Sequence, residues 1–322
     1  IRMDASIYDL ARDTMQIDTI RAEMHQDSLG LLYSAQVIKN KYRQQQPFSA
    51  GLDGQIRYGF GDARLYFKDG KGETGLLLGI RADKIQNGVK FHLFPDDPII
   101  AFRPFKLNPD NYVVVRSMKD IEANLRLSGD NNAALWIHSQ AESDEMEEVH
   151  AELNQIDLGI ISNAFSYIPP MKGILNADFQ YAPSDSAFMV VADMNIDDLY
   201  YENERVGELM FNAVYLPLEQ GNHQVDMHLF RDRKEVSAIT ALYQMGETDH
   251  ISGTVEFMHF PLDIANPFIP DDMAKMGGDL DGTLAISGQS DKPIWYLRIQ
   301  QESVYHQRRS GFQRFIPHDR QS

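Results

Sequence analysis

Apolar and polar residues alternate along most of this chain. In GGDLDGTLAISGQSDKP, residues 277–293, Leu280, Gly282, Leu284 and Ile286 fall on one side, and Asp279, Asp281 and Thr283 on the other. A period of two is that of a strand with one greasy and one wet face. GLDGQIRYGF repeats it with Leu52, Gly54, Ile56, Tyr58 and Phe60, and IEANLRLSG with Ile121, Ala123, Leu125 and Leu127. GILNADFQY places Leu175, Ala177, Phe179 and Tyr181 together. QVDMHLF does so with Val225, Met227 and Leu229, and ISGTVEF with Ile251, Gly253, Val255 and Phe257.

Turn signals separate these runs at the density of an antiparallel meander, among them Asp69-Gly70, Asn87-Gly88, Gln220-Gly221-Asn222 and Gly246-Glu247. The pattern predicts an all-β protein, an elongated, curled antiparallel sheet with short helical segments. Helical spacing is confined to fragments, notably DLGIISNAF (157–165) and DLARDTM (9–15). A faint repeat aligns Leu158 with Leu262 at an offset of 104, and Gly173-Ile174-Leu175 with Gly278-Asp279-Leu280 at 105. The expectation is one continuous repeating groove over residues 1–296, with repeats such as 153–257 and a partial 258–296. From 297 to 322 the chain turns basic, and an ill-ordered tail is expected.

Charge and composition narrow the function classes. A net charge of -17 opposes a nucleic-acid backbone as main partner. The absence of cysteine removes disulfides and thiolate zinc sites, and suits an oxidising envelope compartment. No apolar stretch reaches the ~20 residues of a membrane-spanning helix. The chain opens IRMDASIYDL, which reads as an internal piece whose anchor lies outside it.

Candidate chemistry is sparse. Ten histidines raise the question of a metal, but none has a helical i, i+4 partner, and surface-facing strand positions are the plainer reading. Asp144, Glu145, Glu147 and Glu148 read as a solvated hairpin loop rather than an acid–base pair. KDGKGETG (68–75) has the glycines of a phosphate loop without their order, and reads as a turn. No nucleophile elbow is present. The sequence therefore predicts no enzyme, no cofactor and no metal. A carbohydrate-binding β-protein would rest on the Tyr200-Tyr201 pair alone.

Several stretches, in order, resemble the C-terminal region of the TamB family, the AsmA-like translocation and assembly proteins, in a form like those of Bacteroidota. They are SAGLDGQIRYGF, FPDDPIIAFRPFKLNPDNYVVV, MKDIEANLRLSG, IDLGIISNAFSYIPPMKGILNADFQY and FPLDIANPFIPDDMAKMGGDLDGTLAISGQSDKPIW, together covering about residues 8 to 296. The resemblance implies a folded-over repeating β-groove in the periplasm, anchored to the inner membrane by an N-terminal segment not present here. It implies partnership with a TamA- or BamA-type outer-membrane barrel, outer-membrane protein assembly, and phospholipid transport between the membranes. The match breaks after DKPIW, where Tyr296-Leu297-Arg298 and a basic stretch replace further alternating strands.

A sheet with one apolar face needs a cover: a second sheet, helices or a ligand. Helical patterns are too few for the second option. Gly54, Gly253 and Gly282 fall on the apolar face, where a coiled sheet needs relief and a flat sandwich core would be filled. The expected lining of a lipid groove is Leu52, Ile56, Leu125, Leu127, Leu175, Ala177, Phe179, Tyr181, Val225, Met227, Leu229, Val255, Phe257, Leu280, Leu284 and Ile286. The alternatives are a β-augmentation scaffold for barrel assembly and a closed β-sandwich binding module.

Overall fold

A computed structural model describes residues 2–12, 15–39, 47–140, 148–165, 168–183, 188–202, 204–269, 275–300, 304–308 and 311–314. The protein is an all-β, curled antiparallel sheet structure with very little helix. It divides into two compact units, residues 1–156 with 160–168, and residues 157–159 with 169–322.

The first unit begins as a meander of β1 (Arg2–Arg12), β2 (Met15–Gln26), β3 (Gly30–Lys39) and β4 (Phe48–Arg57). It continues through β5 (Phe60–Asp69), β6 (Thr74–Ile85) and β7 (Gly88–Ile100). Next come β8 (Arg103–Pro104), β9 (Lys106–Leu107), β10 (Tyr112–Ser117) and β11 (Asp120–Ser128). Here β8 folds back on β7, while β9 and β10 pair with different halves of β11. β12 (Ala134–Gln140) and β13 (Glu148–Asp157) complete the series. The break between β9 and β10 is bridged by side chains. Asn108 Oδ1 accepts from the Arg126 N–H at 2.8 Å and its Nδ2 donates to the Asn124 carbonyl at 3.0 Å. Asn111 Oδ1 accepts from the Leu93 N–H at 2.7 Å. These bonds stand in for absent ladder partners, which buried backbone groups require.

Two local readings of the sequence are corrected here. Residues 9–12 form the end of β1, not a helix, because pairing with β2 keeps one register from Arg2↔His25 to Arg12↔Met15, passing over Asp9 at φ +53. The GLDGQIRYGF run is not one strand either. The chain turns at Gly59, with φ +88, so Tyr58 sits in the turn and Phe60 opens β5.

In the second unit β14 (Met171–Pro183), β15 (Phe188–Tyr201), β16 (Glu204–Pro217) and β17 (His223–Arg231) pair in sequence order. β18 (Lys234–Gln244), β19 (His250–Pro261), β20 (Lys275–Gln289) and β21 (Lys292–Gln300) extend the same sheet. β22 (Val304–Arg308) pairs with the start of β20 and with β23 (Gly311–Arg314). Among the described residues β1 pairs with β2 alone and β21 with β20 alone, so each unit keeps an open end strand there. The remaining tail positions, 301–303, 309–310 and 315–322, lie outside the described residues, as do the carboxylates at 144–147.

Among the described residues two helical segments are seven residues long, beside short 3-10 turns at Asp130–Asn132 and Glu219–Gly221. Helix α1 (Leu158–Ala164) follows β13, and a 3-10 segment (Leu262–Phe268) joins β19 to β20. They start at the two leucines that the sequence aligns at an offset of 104. Gly173 and Gly278, next in that alignment, both take positive φ, +132 and +92.

The strand glycines have a physical reason. A Cβ on Gly282 would lie 2.5 Å from the Arg298 carbonyl oxygen, and one on Gly253 would lie 2.8 Å from that of Thr240. Neighbouring backbone thus comes closer than any side chain allows, as a tightly coiled sheet requires. Gly54 meets backbone in the same way, at the Asp62 carbonyl oxygen, and in addition the Tyr33 ring lies across it and donates its hydroxyl to that oxygen at 2.7 Å. Gly282→Ala is expected to destabilise by about 1–3 kcal/mol through overpacking against backbone. Gly61→Ala, whose Cβ would meet nothing nearer than 3.6 Å, is expected to be neutral or stabilising. Urea denaturation of the two variants checks the contrast.

Candidate functional site

Register decides what the apolar positions build. In the second unit one row passes from strand to strand through Phe179, Ala192, Ala213, Met227, Ile239, Val255, Leu284 and Leu297. The row beside it runs Ala177, Met194, Phe211, Leu229, Ser237, Phe257, Gly282 and Ile299. On the other side lie Tyr181, Val190, Tyr215, Val225, Ala241, Gly253, Ile286 and Trp295. Leu175 meets Ile196 one row further on, and Leu280 meets Phe260 past a register shift. All the lining residues expected in this unit therefore share one face. The opposite face carries Asp178, Asp193, Asn212 and His228 in consecutive cross-strand pairs.

That face is not sealed. The only buried hydrophobic residues described in the second unit are Ala177, Val206 and Val236, and Phe179 is 41% exposed. A second sheet packed over these rows would bury the large side chains first.

The first unit differs. Register places Leu52, Ile56, Leu125 and Leu127 on a common face as well. Leu52 is half-buried and Ile56 is 53% exposed, but Leu125 and Leu127 are each only 4% exposed. Leu127 pairs with the buried Leu107 of β9, so this end of the face is an ordinary core rather than open surface. Phe67 gathers Phe48, Phe102 and Phe165 around it at 5.9, 6.2 and 5.4 Å, a further local plug.

The two rims of the second unit are built unlike each other. At one rim lie the hairpins β14–β15, β16–β17, β18–β19 and β20–β21. Along it Tyr181, Phe188, Tyr215, His223 and Tyr243 form a ladder of rings with successive centroids 5.3, 5.7, 5.8 and 6.0 Å apart. Its polar tips are engaged: the Tyr215 hydroxyl lies 2.8 Å from His223 Nδ1, and Tyr243 donates to Asp249 at 2.6 Å. At the other rim the 3-10 segment reaches back from β19 and β20 as far as β16. Arg231, on the apolar side of β17, donates to both Asp263 oxygens, at 2.6 and 3.1 Å. Asn266 fixes the segment to β20 through Met276, donating to its carbonyl at 2.8 Å and accepting from its N–H at 2.6 Å. This strap covers that rim.

The aromatic ladder escapes sequence inspection because its members belong to five different strands and meet only through register. Comparison with known proteins found no matching family model, no similar curated protein and no similar solved structure. The site is thus defined by its geometry.

Other candidates resolve into structural roles. His138 and His150 are cross-strand partners with rings 5.3 Å apart, and His138 stacks on Trp136 at 3.9 Å. His138 Nε2 bonds Glu152 at 3.0 Å, which holds the Glu152 carboxyl below its usual range. Among the described residues no group of three His, Asp or Glu side chains could hold one ion. Lys172 and Met171 pair with Tyr200 and Tyr201 respectively, so these tyrosines are consecutive in the strand and cannot form one platform.

The strap yields a pH expectation. Hydrogen bonds from Arg231 lower the Asp263 pKa against its partial burial. A depressed carboxyl stabilises the fold at every pH above its unfolded value, about 3.9, and that contribution disappears as pH falls through the folded value. Asp263→Asn should cost about 1–2 kcal/mol at neutral pH by leaving the largely buried Arg231 without its carboxylate. The difference from the parent chain should shrink as the pH falls below about 3.9, as thermal melts at pH 7 and pH 3 would read.

Proposed function

We propose that this chain is part of a periplasmic, TamB-like groove that shields phospholipid acyl chains in transit between the inner and outer membranes. One observation carries the reading: the apolar face of the second unit runs unbroken across eight strands and seals none of its large side chains. An ordinary core does not leave such a face half-open.

The energetics favour this use. A diacyl lipid drawn into water exposes some thirty methylenes, on the order of 25 kcal/mol. A trough of aliphatic rows removes that cost without any catalytic residue. Eight strands at about 4.8 Å give a face on the order of 35 Å long, and five rows of side chains make it about 27 Å wide, enough for acyl chains to lie along or across it. The charge of -17 and the polar outer face suit an aqueous compartment. An outer-membrane barrel of the TamA or BamA type remains the implied partner, and support for outer-membrane protein assembly the companion activity.

A second reading draws on the end strand. Among the described residues β21 has one partner, and its Trp295 and Leu297 are each 61% exposed, a template for an added strand. In that case proline substitutions along β21 would abolish client assembly and leave lipid binding untouched.

Phe179→Asp and Leu284→Asp test the groove. Each should reduce photocrosslinking to a lipid carrying a photoreactive acyl chain by about tenfold, the effect of burying a charge against hydrocarbon. The circular dichroism spectrum should be unchanged, since neither side chain is sealed. Crosslinking that survives both changes overturns the lipid reading.

A further inference from the structure

Resting on the groove reading above, we infer that phospholipid lies across the strands of the second unit, with its headgroup at the aromatic rim and its acyl chains running toward the strap. The inference rests on the unlike construction of the two rims. Rings with an apolar body and a polar tip settle where hydrocarbon gives way to water, as tyrosine does at membrane interfaces. Tyr215, His223 and Tyr243 are such rings, and their polar atoms already bond each other or Asp249 at the turn side. Inward from them come the aliphatic rows of Phe179 and Ala177, with Ser237 their one polar member.

The far rim has a cavity lined by Arg231, Lys234 and His259, but Asp232, Glu235 and Asp279 line it too, so its carboxylates outnumber its Lys and Arg and oppose a phosphate head. Arg231, the cation placed by register on the apolar side there, has an 11% exposed side chain and is held by both oxygens of Asp263. The strap lies over it. A headgroup placed there would have to displace that ion pair, whereas the aromatic rim is uncovered by any described segment. The span also fits. From the ring level to the row of Ala177 is about 13–20 Å along the strands, close to an extended acyl chain of roughly 15 carbons.

The absence of cysteine makes the test direct. Ile251→Cys, opposite Tyr243 at the aromatic rim, and Leu229→Cys, in the row of Ala177, are each labelled with an environment-sensitive fluorophore in the full chain. Phosphatidylcholine bearing a nitroxide on its headgroup, or near the end of one acyl chain, is then supplied from vesicles. Head-labelled lipid should quench the rim site at least about twofold more than the inner site, and tail-labelled lipid should do the reverse, as expected for an interfacial aromatic belt. Tyr243→Leu with Tyr215→Leu should erase that difference while leaving total quenching in place, and Tyr243→Phe with Tyr215→Phe should retain most of it. Equal quenching at both sites, or the opposite polarity, overturns the orientation and leaves the groove standing. No quenching at either site overturns both.

Discussion

Cross-strand register is the constraint on which the rest of this structure depends. An alternating strand has two faces, and a slip of one residue exchanges them. From β14 to β21 the pairing keeps Phe179, Met227, Val255 and Leu284 in a single row despite shifts beside Gly173, Leu199, Phe230 and Phe260. Those shifts fall toward the end of the strands away from the aromatic rim. Irregularity is thereby concentrated at the rim that the strap covers, and the rows between remain in step.

The same constraint explains how an apolar surface can persist without a protein cover. Hydrophobic side chains in adjacent strands shield one another laterally, so each is half-buried without a second layer. At Gly253 and Gly282 neighbouring backbone comes nearer still, closer than a Cβ would allow. The first unit shows the other outcome of the same pattern. There β9 supplies Leu107 beside Leu127, and the face closes locally into a core. Equivalent alternation thus gives open lining in one place and ordinary packing in another, according to whether a connecting segment folds over it.

Charged groups follow this division. Most ion pairs sit on outer faces or turns, as with Arg64 and Asp53 at 3.0 Å, or Arg116 with Asp120 and Glu122 at 2.8 and 2.6 Å. Such exposed pairs contribute little to stability. Arg231 is the exception, facing the apolar side, and its position makes sense only with Asp263 brought to it by the strap.

Much of this was legible in the sequence. Period-two alternation, glycine- and asparagine-bearing turns and the scarcity of helical spacing determined an all-β antiparallel meander, and the strands named from residue 121 onward share faces as the alternation implied. The two helical segments were also marked, by the aligned Leu158 and Leu262. Local pattern failed where it had to compete with pairing: residues 9–12 carry helical spacing but join β1, and the run from Leu52 to Phe60 is cut by the turn at Gly59. Depth was not legible at all. Leu125 and Phe179 occupy equivalent places in equivalent patterns, yet one is 4% and the other 41% exposed. Alternation specifies which side a residue faces, because that is a property of its own strand. What covers that side, and which rings converge along a rim, is set by segments distant in the chain, and only the tertiary structure brings them together.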